Sequence, residues 1–351
     1  MSEDIDSTNP ELEALYDYFN NHNIKVGGPQ NIKDWAAAGE IGHLKIDITK
    51  THFHGVNYES PELIKIIDYL AKEESHFPSN FVAFRTKENK FIYYAEYEGS
   101  TGPDIGGVFR DSYFLMVEEL MDIKIKYFVK PPSTLHCESD RLIPAPNMPA
   151  KVASTIGSLI ASAIATQNPH KAWNLPRFIW QSFVTDVDIS NLVHCDDQNY
   201  FNDLKTLVNL MRSGFWKVIP LIKVHNFSGE FIEGLARGQG KDLDIDSFLS
   251  YFTPKSKNTK VWPVFVQAVA PFTSQELSKL MRFITGNETP KITKGFHLEL
   301  TVKETDHQDE NNFWLPVTHT CFNSIEIMPY KTAKLLSDKL KFCISVEDEL
   351  F

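Results

Sequence analysis

The chemistry open to this 351-residue sequence turns on four cysteines, Cys137, Cys195, Cys321 and Cys343. They are widely separated and form no CxxC pair, so their spacing suggests neither a disulfide framework nor a zinc site. Neither a metal nor a cofactor is expected. Cys321 has the most informative surroundings, residues 315–330, LPVTHTCFNSIEIMPY. It follows an irregular acidic stretch at 304–310 and precedes an expected strand at 325–328. A cysteine on an ordered turn between strands can face solvent while its backbone is held, which suits a nucleophile. By residue type alone the opposing reading is stronger, because an unpaired cysteine is more often a small buried hydrophobe. His319 could supply charge or a hydrogen bond, and fixing the loop is an equal reading. Thr320 and Asn323 fit holding a turn better than chemistry. A cysteine hydrolase pairing Cys321 with a distant histidine is a weaker alternative.

A second motif, residues 98–111, EGSTGPDIGGVFRD, is rich in glycine. It lacks both the Walker Lys-Ser/Thr and a GxGxxG, so a tight strand-to-helix turn that needs positive φ is the better reading than a phosphate cradle. Acidic residues number 46 against 35 Lys and Arg, a net charge of -11, which excludes the basic footprint of a nucleic-acid binder. The longest membrane-like run, residues 156–165, is far short of the ~20 needed for a span. Glu3, Asp4 and Asp6, with no basic residue nearby, give the start no secretory character. A reducing compartment, cytoplasm or nucleus, is the expected setting.

The elements that must position these residues divide into two lobes, since single cores stop growing near ~250 to 300 residues. Leu12, Leu15, Tyr16 and Phe19 recur at helical spacing. Ser60 and Pro61 are expected to cap and open a helix carrying Leu63, Ile66, Ile67 and Leu70. A strand pair is expected at 81–84 and 91–97. The most apolar helix holds Ala153, Ile156, Ile160 and Ala163 on one face, with Gly157 and Ala161 small enough for close helix contact. Residues 173–184 lead to the apolar run Leu204, Leu207, Val208 and Met211, and a separate buried element follows Gly214. Flexible residues from Gly238 to Lys241 mark an interlobe hinge. Beyond it the pattern reads helix, helix, strand, strand, helix. Ser274 precedes a helix that Gly286 stops, Phe296, Leu298 and Leu300 alternate as a strand, and a helix from Thr332 carries Leu336, Leu340, Cys343 and Ile344 inward.

Several of these motifs, taken in order, resemble the catalytic domain of HECT-type ubiquitin ligases. HTCFN, preceded by LP and followed by PY, resembles the family's active-site motif. LMRFITG at 280–286 with Pro290 resembles LLxFvTG..rxP, and Tyr330, Leu336, Leu340, Cys343 and Ile344 fit the family's final helix. EGSTGPDIGGVFRD resembles EGExGxDxGGxxRE, and SGFWKVIP (213–220) and LARG (235–238) resemble elements of the RCC1-repeat-bearing branch. Together they cover roughly residues 80–351.

The resemblance implies an α+β bilobal fold, with a mainly helical N-terminal lobe carrying short strand pairs and a smaller α/β C-terminal lobe. Together with the helical spacing of the first residues and the flexible stretch already noted, it gives residues 1–79 as a helical part of the N-lobe, 80–238 as the N-lobe proper, 239–243 as the hinge and 244–351 as the C-lobe. Cys321 would carry ubiquitin as a thioester, with His319, Thr320 and Asn323 in support and Phe351 as the aromatic residue that assists transfer. The implied partners are ubiquitin, a ubiquitin-conjugating enzyme and a protein substrate. One departure is that the segment where relatives dock the conjugating enzyme is shortened, near 185–212. That favours a second reading, a catalytically impaired scaffold that binds ubiquitin or a partner.

Overall fold

The computed structural model describes residues 10–21, 25–26, 34, 37–38, 42–73, 84–85, 90–99, 107–238, 243–290, 296–303 and 314–350; for 20–21, 25–26, 84–85, 90–91, 107, 321 and 346–350 it describes the backbone alone. The chain divides into two compact units, Met1–Gln239 and Gly240–Phe351.

In chain order the first unit contains α1 (Pro10–Asn21), β1 (Lys25–Val26), β2 (His43–Ile46), α2 (Ile66–Glu73), β3 (Phe84–Arg85), β4 (Lys90–Phe91), β5 (Tyr94–Tyr97) and α3 (Gly107–Met121). It continues with β6 (Phe128–Val129), β7 (Ile143–Pro144), α4 (Ala150–Thr166), α5 (Arg177–Phe183), α6 (Gln198–Val218) and α7 (Gly229–Arg237). The expected helical face of α1 is present, with Leu12, Leu15 and Phe19 buried.

Three boundaries differ from the sequence-based expectation. Of the expected strand pair, residues 81–83 lie outside the described residues; β3 and β4 pair in register Phe84↔Phe91, while β5 pairs in parallel with β2, a strand the sequence reading missed. Leu44 and Ile46 of β2 are fully buried and offer β5 an apolar partner row. The helix expected from Pro61 begins instead at Ile66, whose N–H donates to both carboxylate oxygens of Glu119 on α3 at 2.9 and 3.2 Å. That cap comes from 53 residues away, so local sequence does not announce it. α6 runs unbroken through Gly214, where two separate elements were expected.

Gly214 sits inside α6 because of a tight helix crossing. A Cβ there would lie 1.9 Å from the Ser154 carbonyl oxygen on α4, and a Cβ at Gly157 of α4 would lie 1.8 Å from the Met211 carbonyl oxygen. The two backbones therefore touch through paired glycines, and the Ser158 hydroxyl donates to the Gly214 carbonyl at 2.9 Å. Phe183 stacks on Phe215 beside this crossing, with ring centroids 4.6 Å apart.

The second unit holds α8 (Ile245–Ser250), α9 (Pro254–Lys257), α10 (Trp262–Val269), α11 (Ser274–Thr285), β8 (Glu299–Val302), β9 (Val317–His319), β10 (Ser324–Ile327) and α12 (Ala333–Leu350). Its sheet has the order β8-β10-β9, with β10 parallel to β8 and antiparallel to β9. Ile325 and Ile327 of the central strand join Leu280, Ile284, Leu298, Leu300, Leu336 and Leu340 in one core. The overall class is the expected one, mainly helical with short strand pairs in the first unit and α/β in the second. Among the described residues no helix is long and apolar enough to cross a membrane.

Candidate functional site

The site is built outward from β10, whose alternation buries Ser324, Ile325 and Ile327 and leaves Glu326 partly open. The last residue pair between β9 and β10 is His319↔Ser324, so residues 320–323 form the connecting loop. Its first three residues make a 3-10 turn, Thr320–Phe322, and Asn323 closes it at φ 49 and ψ 42. That left-handed conformation costs most L-residues ~1–2 kcal/mol, and asparagine is among the side chains that tolerate it. The Asn323 N–H donates to Thr320 O at 3.3 Å, and the Asn323 carbonyl accepts from the Glu299 N–H of β8 at 3.0 Å. The loop is thereby closed on itself and tied to β8.

α11 packs against this turn. A capping box fixes its start: the Glu276 N–H donates to the Thr273 hydroxyl at 3.2 Å, and the Thr273 N–H donates to Glu276 at 2.8 Å. The cap thus falls on Thr273, one residue before the expected Ser274. Lys341 of α12 donates to the other Glu276 oxygen at 2.7 Å, and this bond, followed by that from the Thr273 backbone, holds the carboxyl below its ordinary value. At the far end Gly286 takes φ 78, and the Thr285 hydroxyl donates within reach of Met281 O and Asn287 O at 2.9 and 3.0 Å. The Thr-Gly of LMRFITG therefore terminates a helix and positions the turn from behind.

The loop carries an apolar rim that sequence reading overlooked. Trp314 and Phe322 are 49% and 55% exposed, and Leu315 and Val317 are also exposed. Large apolar side chains left in water at one place commonly mark a contact surface. The residues were legible in the sequence, but their exposure is known only from the structure, and of the four Val317 alone belongs to β9. Trp314 is steadied by the Tyr330 hydroxyl, which donates to its carbonyl at 2.8 Å, and by Lys303, whose ammonium lies 4.3 Å from its ring centroid. Burial pushes the Tyr330 phenol up to about 12.

The structure brings His319, Thr320, Asn323 and the backbone of Cys321 into this one loop, with His319 exposed and Thr320 and Asn323 half-buried. The Cys321 side chain and Phe351 lie outside the described residues, as do residues 239–242 of the expected hinge and 100–106 of the glycine-rich motif. Flanking those stretches, Gly238 and Gly99 adopt positive φ, 82 and 85. The other cysteines are placed otherwise. Cys195 and Cys343 are buried, and burial pushes the half-buried Cys137 thiol up to about 11.

The second unit is a small α/β unit with a cysteine-bearing hairpin loop and a capped helix packed against it. Residues 200–351 match the family described as HECT-domain (ubiquitin-transferase). The chain is similar to the E3 ubiquitin-protein ligase NEDD4 of Homo sapiens, 28% identical over 153 residues, 41% of this chain and 11% of that protein. It is also similar to the probable E3 ubiquitin-protein ligase hulA of Aspergillus niger, 30% identical over 149 residues, 40% of this chain and 18% of that protein. A third relative, the E3 ubiquitin-protein ligase RSP5 of Emericella nidulans, is 29% identical over 149 residues with the same coverage, 40% and 18%. The matched stretch thus spans less than one fifth of each relative's length. These matches make residues 200–351 similar to the HECT domain of ubiquitin ligases.

Proposed function

We propose that the chain is an active ubiquitin-protein ligase module that works through Cys321. The Cys321 thiolate attacks the carbonyl carbon of the thioester on a charged conjugating enzyme and expels that enzyme's cysteine thiolate. A neutral substrate lysine amine then attacks the ubiquitin–Cys321 thioester. Cys321 leaves as thiolate, the amine's proton passes to solvent, and an isopeptide bond remains. Because the acyl group arrives activated, the few per cent of thiolate present at an ordinary thiol pKa near ~8.5 suffices, and no dedicated base is needed.

The observation that carries this reading is the position of Cys321, within the family-matched residues and in a tethered loop rimmed by exposed Trp314, Leu315, Val317 and Phe322. The exposed apolar side chains offer contact to a protein partner, and β9, at the sheet edge among the described residues, offers its outer backbone groups to an extended polypeptide tail. In this reading Thr320 and Asn323 hold the loop, His319 contributes charge or a hydrogen bond, and Phe351 docks during transfer. Residues 239–243 act as the hinge, the resemblance of segments 213–220 and 235–238 favours the RCC1-repeat-bearing branch, and a reducing cytoplasm or nucleus is the setting.

One observation favours a second reading, the impaired scaffold. α5 ends at Phe183 and α6 begins at Gln198, so the connection where relatives dock the conjugating enzyme is short. A non-reducing gel separates the two readings, after mixing the chain with ubiquitin, activating enzyme and a panel of conjugating enzymes. A thiol-sensitive adduct that Cys321→Ala abolishes supports the ligase. Absence of an adduct with every panel member sinks it in favour of the scaffold.

A further inference from the structure

Outside the cysteine loop, the first unit gathers two histidines and an aspartate on one exposed face. Leu135 and Cys195 form an isolated antiparallel bridge. The His136 N–H donates to His194 O, and the Asp196 N–H donates to Thr134 O, both at 2.9 Å. In such a bridge side chains alternate, so Leu135 and Cys195 turn inward, where both are buried, and His136, His194 and Asp196 share the outer side. The carboxylate serves both imidazoles: Asp196 Oδ2 lies 3.0 Å from His136 Nε2, and Asp196 Oδ1 lies 3.2 Å from His194 Nε2. All three ligand atoms fall within 4.8 Å of one another, and the imidazole centroids are 5.2 Å apart.

From this geometry we propose that His136, His194 and Asp196 bind a divalent transition metal of the zinc type. A tetrahedral ion with bonds of ~2.0–2.1 Å has ligand-to-ligand edges of about 3.3 Å. Each imidazole nitrogen already lies near that distance from its own carboxylate oxygen, so binding requires the carboxylate to turn its oxygens toward the ion and the two rings to close around it. Imidazole nitrogens with one carboxylate select zinc and its neighbours over calcium or magnesium, which favour all-oxygen shells. Backbone hydrogen bonds across the bridge hold the donors in place before the ion arrives. Water completes the coordination from the open side.

The site would staple residues 134–137 to residues 194–196. The second of these strands leads directly into α6, where the Asp197 side chain caps the Asn199 and Tyr200 N–H groups. It also lies in the short connection between α5 and α6. The expected absence of a metal rested on cysteine spacing alone, and these ligands are not cysteines.

The test uses the full chain and the metal alone. Zn2+ is titrated calorimetrically into wild type, His136→Ala/His194→Ala and the near-isosteric Asp196→Asn, and Co2+ is added in parallel for its absorption spectrum. The expected result is one equivalent bound by wild type, a rise in melting temperature on Zn2+ addition, and affinity at least ~10- to 100-fold weaker in each variant. The Co2+ bands should lack thiolate charge transfer. Circular dichroism on both variants verifies the fold, and Asp196→Asn stands alone if the double variant misfolds. Equal stoichiometry and affinity in wild type and variants would overturn the proposal, as would a Co2+ thiolate band that persists in all three proteins.

Discussion

Replacing Gly157 by alanine tests the helix crossing directly, because the new methyl meets backbone rather than a side chain that could swing away. The added Cβ would sit 1.8 Å from Met211 O, 2.6 Å from Met211 C and 2.9 Å from Phe215 N. Restoring a contact of about 3.0 Å requires α4 and α6 to part by roughly 1.2 Å, a gap that forfeits at least about half of the dispersion energy at the contact. Overpacking of this kind costs ~1–3 kcal/mol, sometimes more. Separation by that distance also breaks the Ser158–Gly214 hydrogen bond, which adds about 1 kcal/mol. Alanine's better helix propensity returns about 1 kcal/mol. The net is a loss of about 1–3 kcal/mol confined to the first unit. Urea denaturation gives the size, and hydrogen exchange gives the place: α4 and α6 amides should lose protection while α11 and α12 keep theirs. A variant within about 0.5 kcal/mol of wild type would refute the close-contact reasoning.

Other outcomes follow from the same structure. Burial lifts the Glu119 carboxyl from 4.5 to about 8, so the folded state holds a proton the unfolded chain releases; stability is full below pH 4.5 and falls as pH rises through 8, by at most about 1.4 kcal/mol per pH unit. Glu119→Gln, which still accepts from the Ile66 N–H, should flatten that fall in a series of urea midpoints, and an unchanged slope would assign the pH dependence elsewhere. Thr273→Ala should cost about 1 kcal/mol through loss of the capping box. The Glu276 carboxyl is depressed, so its contribution is present above pH 4.5 and fades on acidification; a Thr273→Ala penalty unaltered at low pH would contradict that coupling. At Asn323 glycine should be nearly neutral and valine should cost about 1–2 kcal/mol in thermal unfolding, and equal melting temperatures for the two would remove the left-handed turn from the account.

What the sequence disclosed well were long periodic elements and local punctuation. α4 with Ile156 and Ile160 inward, α11 ending at Gly286, and α12 burying Leu336 and Leu340 follow from spacing and end signals that act within a few residues. What escaped depended on distant partners. β2 has only two apolar residues and becomes a strand by pairing with β5, 51 residues further on at His43↔Tyr94. The start of α2 is set by Glu119 rather than by Ser60. Gly214 reads locally as a break, yet it lets one helix touch another. At the candidate site, HTCFN was legible as a motif, whereas the apolar rim and the hold of Asn323 on β8 were not. The first rests on the exposure of side chains in the folded unit, and the second requires knowing that β10 lies at the sheet centre beside β8. The His136, His194 and Asp196 grouping was invisible for the same reason, because 58 residues separate the two histidines and a single bridge brings them together.

The bond from the Glu299 amide to the Asn323 carbonyl makes the loop at 320–323 a preorganised part of the sheet. Its ordering entropy is lost once, when the unit folds, and does not recur at each acyl transfer. In the proposed cycle, differences in rate between one conjugating enzyme and another should therefore arise in encounter and delivery, with the acceptor itself contributing a constant.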